Sequence, residues 1–375
     1  MDVLAGHRPT WAEIDLGALS RNFRVLRKHL GTGVRILAVV KADAYGHGAV
    51  PVASRLETEG VDAFGVAMVE EGIELREADI GRPILVFGGC FPGQEELALQ
   101  YDLTIAVSSL ETLEALSEAA VGMDRHAYYQ LKLDTGMGRL GVSPEDAVAF
   151  LNEAKKLPNI RLDGVLSHLS SAEEQDQSFT DLQAKRFDEA IADIEAAGFT
   201  IPIRHIANSA AAVHRDDIRH DLVRAGLVLY GITSGSRRSA VSVEPVMTLK
   251  TRISFLKTVP AGTPISYGRT HVTEAESVIA TLPIGYADGM QRRLSNKGRV
   301  LVRGLSAPIV GSVTMDSTLI DVTGIRGARV GDEVVVLGSQ GDERVSAEEV
   351  AAEMSTIPYV VVCSVGKRVP RVNLG

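Results

Sequence analysis

Residues 35–50 read RILAVVKADAYGHGAV, an apolar, β-branched run suited to a buried strand and closed by Lys41. An unpaired ammonium in a low-dielectric site is costly and its pKa falls. The neutral amine then becomes a nucleophile, and condensation with an aldehyde removes the charge altogether. Lys41 is therefore either a Schiff-base lysine or a side chain that snorkels from the strand end to solvent. Reactive types recur at the ends of later apolar runs: Lys132, Asp134 and Arg139 follow AYYQLKL, His168 closes RLDGVLSH, Asn208 and Ser209 follow IPIRHI, and Arg224, Gly226 and Leu227 lie within DLVRAGLVLYG. A phosphate-bearing aldehyde needs an anion site. HIANSAAAVHR puts Asn208 and Ser209 where an alanine-rich helix begins, with free N–H groups and a favourable dipole, and Tyr45 and the backbone of Gly226 and Leu227 add donors. The competing reading is an ordinary N-cap. Arg139 offers a planar fork for a substrate carboxylate, or is a surface guanidinium after a glycine-rich turn.

The elements that must carry these residues are eight apolar runs, at 34–41, 61–67, 83–87, 103–107, 127–133, 161–168, 201–206 and 221–231, separated by helical patterns. In SPEDAVAFLNEAKKL, Ser143 is placed to cap and Pro144 sits in the first turn; in SFTDLQAKRFDEAIADIEAAGF, Phe187, Ile191 and Ile194 keep one helical face. Eight βα units in about 200 residues predict an α/β fold, a (β/α)8 TIM-like barrel with its chemistry at the C-terminal strand ends. A doubly wound open sheet is the alternative. Beyond about residue 238 the segments are β-prone and divided by glycine-containing turns, with one late helix announced by a capping box of Ser346 and Glu349. The reading is a barrel over 11–237 and a mostly β C-terminal domain over 238–375, against which residues 1–10 pack.

Two patterns compete with this chemistry. Gly136, Gly138 and Gly141 spell G-x-G-x-x-G, but a dinucleotide site needs an acid at the end of the next strand, about 20 residues on. That strand ends in His168, with Asp163 near its start. HRDDIRHD, from His214 to Asp221, fits no familiar zinc spacing and reads as a solvated helix end or loop, so no metal is expected. The net charge of −9, with 39 scattered Lys and Arg, argues against nucleic acid or an anionic membrane as partner and for a small molecule. No uncharged stretch approaches the roughly 18 residues of a membrane span and the start lacks a secretory apolar core, so the expected location is cytoplasmic. Cys90 and Cys363 lie far apart without CxxC spacing and are expected to be buried small hydrophobes.

The segments AVVKADAYGHG, LDTGMGRLGV, HIANSAA, RAGLVLYG, ISYGRTH, TLPIGYADG, TMD and RVPR, in this order along nearly the whole chain, resemble the alanine racemases that use pyridoxal 5′-phosphate. The resemblance implies a homodimer with active sites shared between chains, interconverting L- and D-alanine and supplying D-alanine for peptidoglycan. It makes Lys41 the lysine that condenses with the cofactor and one catalytic base, and Tyr267 of the partner subunit the opposite base. It sets Tyr45, Ser209, Gly226, Leu227 and Tyr359 around the phosphate with Asn208 close by, and Arg224 against the pyridine nitrogen. Arg139 and Met315 match positions that hold the substrate carboxylate, Lys132 a site carbamylated in many members, and Asp316 and Tyr286 supporting positions.

Racemisation needs a proton taken from one face of Cα and returned on the other, so one base on each face is the natural arrangement. A tyrosine of ordinary pKa near 10 is about three units too weak an acid to be a phenolate at neutral pH, roughly 4 kcal/mol. The resemblance supplies cationic help through His168, which meets the tyrosine on one side and Arg224 on the other. Arginine cannot hand a proton to the ring, so a weaker electron sink and preference for reprotonation over transamination are expected. The chain departs from the family at Val360, where a glutamate is common, and at Ser312 and Thr314, where an arginine and a cysteine are common. Another amino-acid racemase or a decarboxylase on the same cofactor fold, and a non-catalytic pyridoxal-phosphate carrier resembling the barrel alone, are the alternatives. Residues 238–375 argue against the carrier, which needs no second base.

Overall fold

The computed structural model describes residues 8–233 and 240–375. The first strand is β1 (Thr10–Asp15). The eight predicted runs contain β2 (Arg35–Val39), β3 (Ala63–Val66), β4 (Ile84–Val86), β5 (Thr104–Val107), β6 (Ala127–Lys132), β7 (Ile160–Leu166), β8 (Arg204–His205) and β9 (Leu222–Ala225). They form one parallel sheet in the order β8-β7-β6-β5-β4-β3-β2-β9. Its two ends meet, because Asp221 N–H donates to Arg204 O at 3.1 Å and Arg224 N–H to Ala207 O at 3.0 Å. The result is the nearly closed barrel, not the open sheet. Strands covered on both faces need continuous apolar sequence, and in β2 all but Arg35 are buried. The runs at 201–206 and 221–231 are only partly strand, since backbone polar groups near the mouth are taken by turns and side chains instead.

Helices between the strands cover the outside. Helix Leu16–Leu30 is capped by Asp15, whose side chain accepts from Ala18 N–H, and Leu110–Gly122 is capped by Ser109. Helix Ser178–Ala196 buries Phe187, Ile191 and Ile194, the face its spacing predicts. Two caps differ from expectation. Ser143 hydrogen-bonds the Glu145 carboxylate and makes no backbone cap, so Pro144–Asp146 is a 3-10 turn and the helix proper starts at Ala147. Ser346 accepts from Glu349 N–H, but the Glu349 carboxylate turns to Arg299 at 2.6 Å, leaving half a capping box.

The C-terminal part is β-rich. Met247–Arg252, Arg299–Val302, Leu305–Pro308, Glu333–Gln340, Glu343–Val345 and Arg371–Leu374 share one sheet, and Phe255–Val259, Ser277–Leu282 and Thr318–Asp321 form a second. β1 joins the first of these, antiparallel to Met247–Arg252 and parallel to Arg371–Leu374. Residues 11–15, grouped by sequence with the barrel, thus pair with the C-terminal sheet. Arg8 packs there too, its guanidinium forking onto Asp288 at 2.6 and 2.8 Å. The 237/238 boundary and residues 1–7 lie outside the described residues. One apolar core runs unbroken from barrel to sheet.

Candidate active site

Lys41 stands two residues beyond the end of β2, at the start of a turn whose next four residues, Ala42 to Tyr45, all have left-handed dihedrals with φ between 52° and 54°. L-residues resist this conformation by about 1–2 kcal/mol each, so the surroundings must impose it. Glu71 takes Ala42 N–H at 2.6 Å and Ala67 N–H at 2.7 Å, tying the turn to the end of β3. Asp43 accepts Ala49 N–H at 2.7 Å. His47 Nδ1–H reaches the carbonyls of Ala44 and Tyr45, and Arg371 donates to Gly46 O at 3.0 Å. Arg371 lies in RVPR, a motif recognisable in the sequence without any role readable from it.

The turn aims Lys41 into a cavity of ≈ 340 Å³ at the C-terminal mouth of the barrel, lined also by Tyr45, Lys132, Arg139, His168, Asn208, Ser209, Arg224, Gly226 and Tyr359. Phe87, Ile357 and Val39 line it as well, and their apolar side chains gave no signal of a site. The Lys41 amine has no hydrogen bond or ion pair among the described residues, so the snorkelling alternative does not hold. Burial, then the Arg139 charge, lowers its pKa. Lys132, 7% exposed, is pushed down to about 8 by burial and by Arg139, Arg224 and Lys41. Arg139 is exposed at the mouth, with no hydrogen bond among the described residues.

Arg224, 4% exposed, anchors the floor. Its Nη1 donates to His205 Nδ1 at 2.9 Å; its Nη2 donates to Ser167 O at 2.7 Å, Ile206 O at 2.9 Å and His168 Nδ1 at 3.0 Å. A guanidinium only donates, so both imidazoles offer it a lone pair and carry their proton on Nε2. Burial, then Arg224 and Arg139, holds His168 neutral, pushing its pKa down to about 2. Its Nε2–H is thereby a donor. Arg224 Nε makes no hydrogen bond among the described residues. His205 was quoted in HIANSAA but not singled out; its position one turn before Asn208 was the only hint.

At the anion end, Asn208 Oδ1 accepts Ala211 N–H at 3.0 Å, so it does cap the short helix Ser209–His214. Ser209 Oγ accepts Gly226 N–H at 2.8 Å. Of the two backbone donors expected, only that of Leu227 has no partner among the described residues, and the Leu227 side chain is in the core. Tyr45 and Tyr359 stack edgewise, ring centres 5.7 Å apart, and burial raises both phenols' pKa. A Cβ at Gly226 would lie 2.8 Å from Tyr45 Oη, so only glycine keeps this corner open.

Tyr267, Met315 and Tyr286 are not in the cavity. They stand together on the C-terminal part, 74%, 51% and 41% exposed. Ser312, a departure from the family, donates through Oγ to Tyr267 O at 3.0 Å, while Ser266 Oγ donates to Ser312 O at 2.7 Å. Thr314 O accepts Tyr286 N–H at 2.9 Å, and Asp316 pairs with Arg368 at 2.7 Å. Val360 is exposed on helix Pro358–Cys363 beside Tyr359. Cys363 ends that helix exposed and Cys90 is half-buried, so neither is the buried hydrophobe expected.

The glycine-rich decoy closes on itself: Asp134 Oδ1 accepts Gly136 N–H and Gly138 N–H, both at 3.0 Å, where a pyrophosphate would need them. HRDDIRHD is tied up in ion pairs, Arg215 with Asp181 and Asp217, His220 with Asp188, and Asp221 with Arg204.

A barrel with an unpaired amine in a cationic pocket, followed by a β-rich part bearing exposed aromatic side chains, defines a class of two-part enzymes built for Schiff-base chemistry. The alanine racemase N-terminal domain matches residues 14–234 and the C-terminal domain residues 246–373. The alanine racemase of Halothermothrix orenii is 48% identical over 97% of this chain and 96% of its own, and that of Geobacter sulfurreducens 47% over 98% and 97%. Among solved structures, alanine racemase from D-cycloserine-producing Streptomyces lavendulae superposes with a TM-score of 0.93 at 38% identity, covering 98% of this chain and 97% of that one. The Bacillus anthracis enzyme with bound L-Ala-P gives 0.93 at 36%, over 98% and 96%. The chain belongs to the alanine racemase family and is an isomerase.

Proposed function

We propose that this protein interconverts L- and D-alanine with pyridoxal 5′-phosphate, as a homodimer in the cytoplasm, and supplies D-alanine for peptidoglycan. The observation that carries this reading is the amine of Lys41, without a counter-ion, in one cavity with the unpaired fork of Arg139. The donor set fits the cofactor. Lys41 suits its aldehyde, Arg224 Nε–H its ring nitrogen, and Tyr45, Tyr359, Ser209 and Leu227 N–H its phosphate, in a corner that a Cβ at Gly226 would fill. When bound, the cofactor supplies an electron sink for the charge developing at Cα.

The protein's own groups then divide the work. Lys41 Nζ exchanges the Cα proton on one face, and Tyr267 of the partner subunit does so on the other. His168 Nε2–H donates to that tyrosine's oxygen and, backed by Arg224, favours its ionised form. Arg139 grips the substrate carboxylate, joined by the backbone amide of Met315 of the partner subunit. Lys132 is neutral in part near its pKa of about 8, which suits reaction with carbon dioxide; the resulting carbamate would place an anion among Arg139, Arg224 and Lys41. Support for shared sites is that Tyr267 and Met315 are exposed in the single chain. For the location, no helix among the described residues is long and apolar enough to cross a membrane.

The test is to supply purified protein with pyridoxal phosphate and, separately, L-alanine, L-serine and L-lysine, and to quantify each D-isomer by chiral chromatography. D-alanine forms fastest. Carbon dioxide release without any D-isomer would move the answer to a decarboxylase.

A further inference from the structure

Behind Arg224 the barrel interior holds a chain of hydrogen bonds that the proposed reaction does not use. From Arg224 Nη1 and His205 Nδ1 it continues through His205 Nε2, 2.7 Å from Gln130 Oε1, and Gln130 Nε2, 2.9 Å from Asp163 Oδ2. Each end has one role, since a guanidinium only donates and a carboxylate only accepts. The middle groups are adaptable: an imidazole has two tautomers and an amide two flips. Between fixed ends a single arrangement avoids donor facing donor. His205 carries its proton on Nε2, and Gln130 turns its carbonyl to His205 and its NH2 to Asp163. Every N–H then points from cation toward carboxylate, so successive bonds polarise one another.

Two backbone features build this chain. Tyr129 pairs with Leu162 and Gln130 with Gly164, which leaves Asp163 as the extra residue of a bulge. A bulge re-aims a side chain, here toward Gln130. Gly164 makes room for the amide, because a Cβ there would lie 3.3 Å from Gln130 Cδ and 2.6 Å from Ile203 O. Gln130 and His205 are buried, and Asp163 and Gln130 border a separate cavity of ≈ 360 Å³ at the far end of the barrel.

We propose that Asp163, Gln130 and His205 are positioning residues for Arg224. They fix the imidazole tautomer and occupy the terminal nitrogens of the guanidinium, leaving its Nε–H for the ligand and its second terminal nitrogen for His168. The proposal rests on the racemase reading only for what Arg224 touches; the relay itself does not depend on it.

Protein labelled with ¹⁵N-histidine, with and without pyridoxal phosphate, tests the relay, His205 being assigned by the loss of its signals in His205→Asn. The wild-type imidazole is expected as the Nε2–H tautomer in both states. In Asp163→Asn, nearly isosteric, the His205 nitrogen shifts move, the absorption maximum of bound pyridoxal phosphate is displaced, and kcat falls about fivefold with KM for alanine unchanged. A proton on Nδ1 in the wild type, nitrogen shifts untouched by Asp163→Asn, or moved shifts beside an unaltered spectrum and kcat would each overturn the proposal. If wild-type protein turned over no amino acid, the two spectroscopic readouts would still decide the relay.

Discussion

At the scale of single residues, charge without a partner is the organising fact. Lys41 is surrounded by cations, so its amine is destabilised as an ammonium and favoured as a base or nucleophile. Lys41→Ala removes the only amine placed to bond the cofactor. It is expected to lose the borohydride-reducible adduct and to lower kcat by several orders of magnitude, as read by mass spectrometry and turnover. Tyr267→Phe deletes one oxygen on the other face of the reaction. It should leave cofactor affinity within about twofold while slowing proton abstraction in one direction far more than in the other, measured by solvent deuterium incorporation from each enantiomer. Equal loss of cofactor in the two variants would contradict the roles assigned.

At the scale of elements, the left-handed turn shows how the fold sets chemistry. A strand simply ending at Lys41 would leave its amine free to reach solvent; the turn redirects it, and Gly46 closes the turn against helix Pro358–Cys363. Gly46 has φ +80°, and a Cβ there would meet Val362 O at 2.5 Å. Gly46→Ala is therefore expected to cost about 2–4 kcal/mol, the sum of a left-handed penalty and an overpacked contact. It should also weaken pyridoxal phosphate binding; urea unfolding and a fluorescence titration would measure the two. This turn also marks the limit of what the sequence made legible. The barrel followed from eight apolar runs because burial on both faces leaves a composition that can be read locally. The left-handed stretch did not, because Ala-Asp-Ala-Tyr carries no local preference for it and is held by Glu71, His47 and Arg371 from elsewhere in the chain. His168 and Arg224 were readable as polar residues at strand ends. Asp163, by contrast, was placed near a strand start, since a bulge has no signature beyond the glycine beside it.

At the scale of the whole molecule, two consequences follow from where charge is kept out and where surface is left open. Three histidines are held neutral by burial: His168 pushed to about 2, His47 to about 4, and His205 well below its ordinary 6.5. Their folded pKa values lie below the unfolded one, so between pH 6.5 and 4 the unfolded chain binds more protons and stability falls with acidification. Each imidazole contributes up to about 1.4 kcal/mol per pH unit across that window. Urea midpoints at pH 7, 6 and 5 should drop progressively. The second consequence concerns assembly. The cavity contains Lys41 but not Tyr267, whose hydroxyl is left exposed on the C-terminal part with Met315 beside it. If each site takes its amine from one chain and its phenol from the other, the two single variants must complement. Lys41→Ala and Tyr267→Phe chains, each inactive alone, are mixed in equal amounts, dissociated and reassociated. Random pairing makes about half of the dimers mixed, and each mixed dimer has one site with both bases and one with neither. Activity should therefore return to about a quarter of wild type, and only after subunit exchange. A mixture that stayed inactive while mass spectrometry showed mixed dimers would place both bases in one chain, which the exposure of Tyr267 outside the cavity argues against.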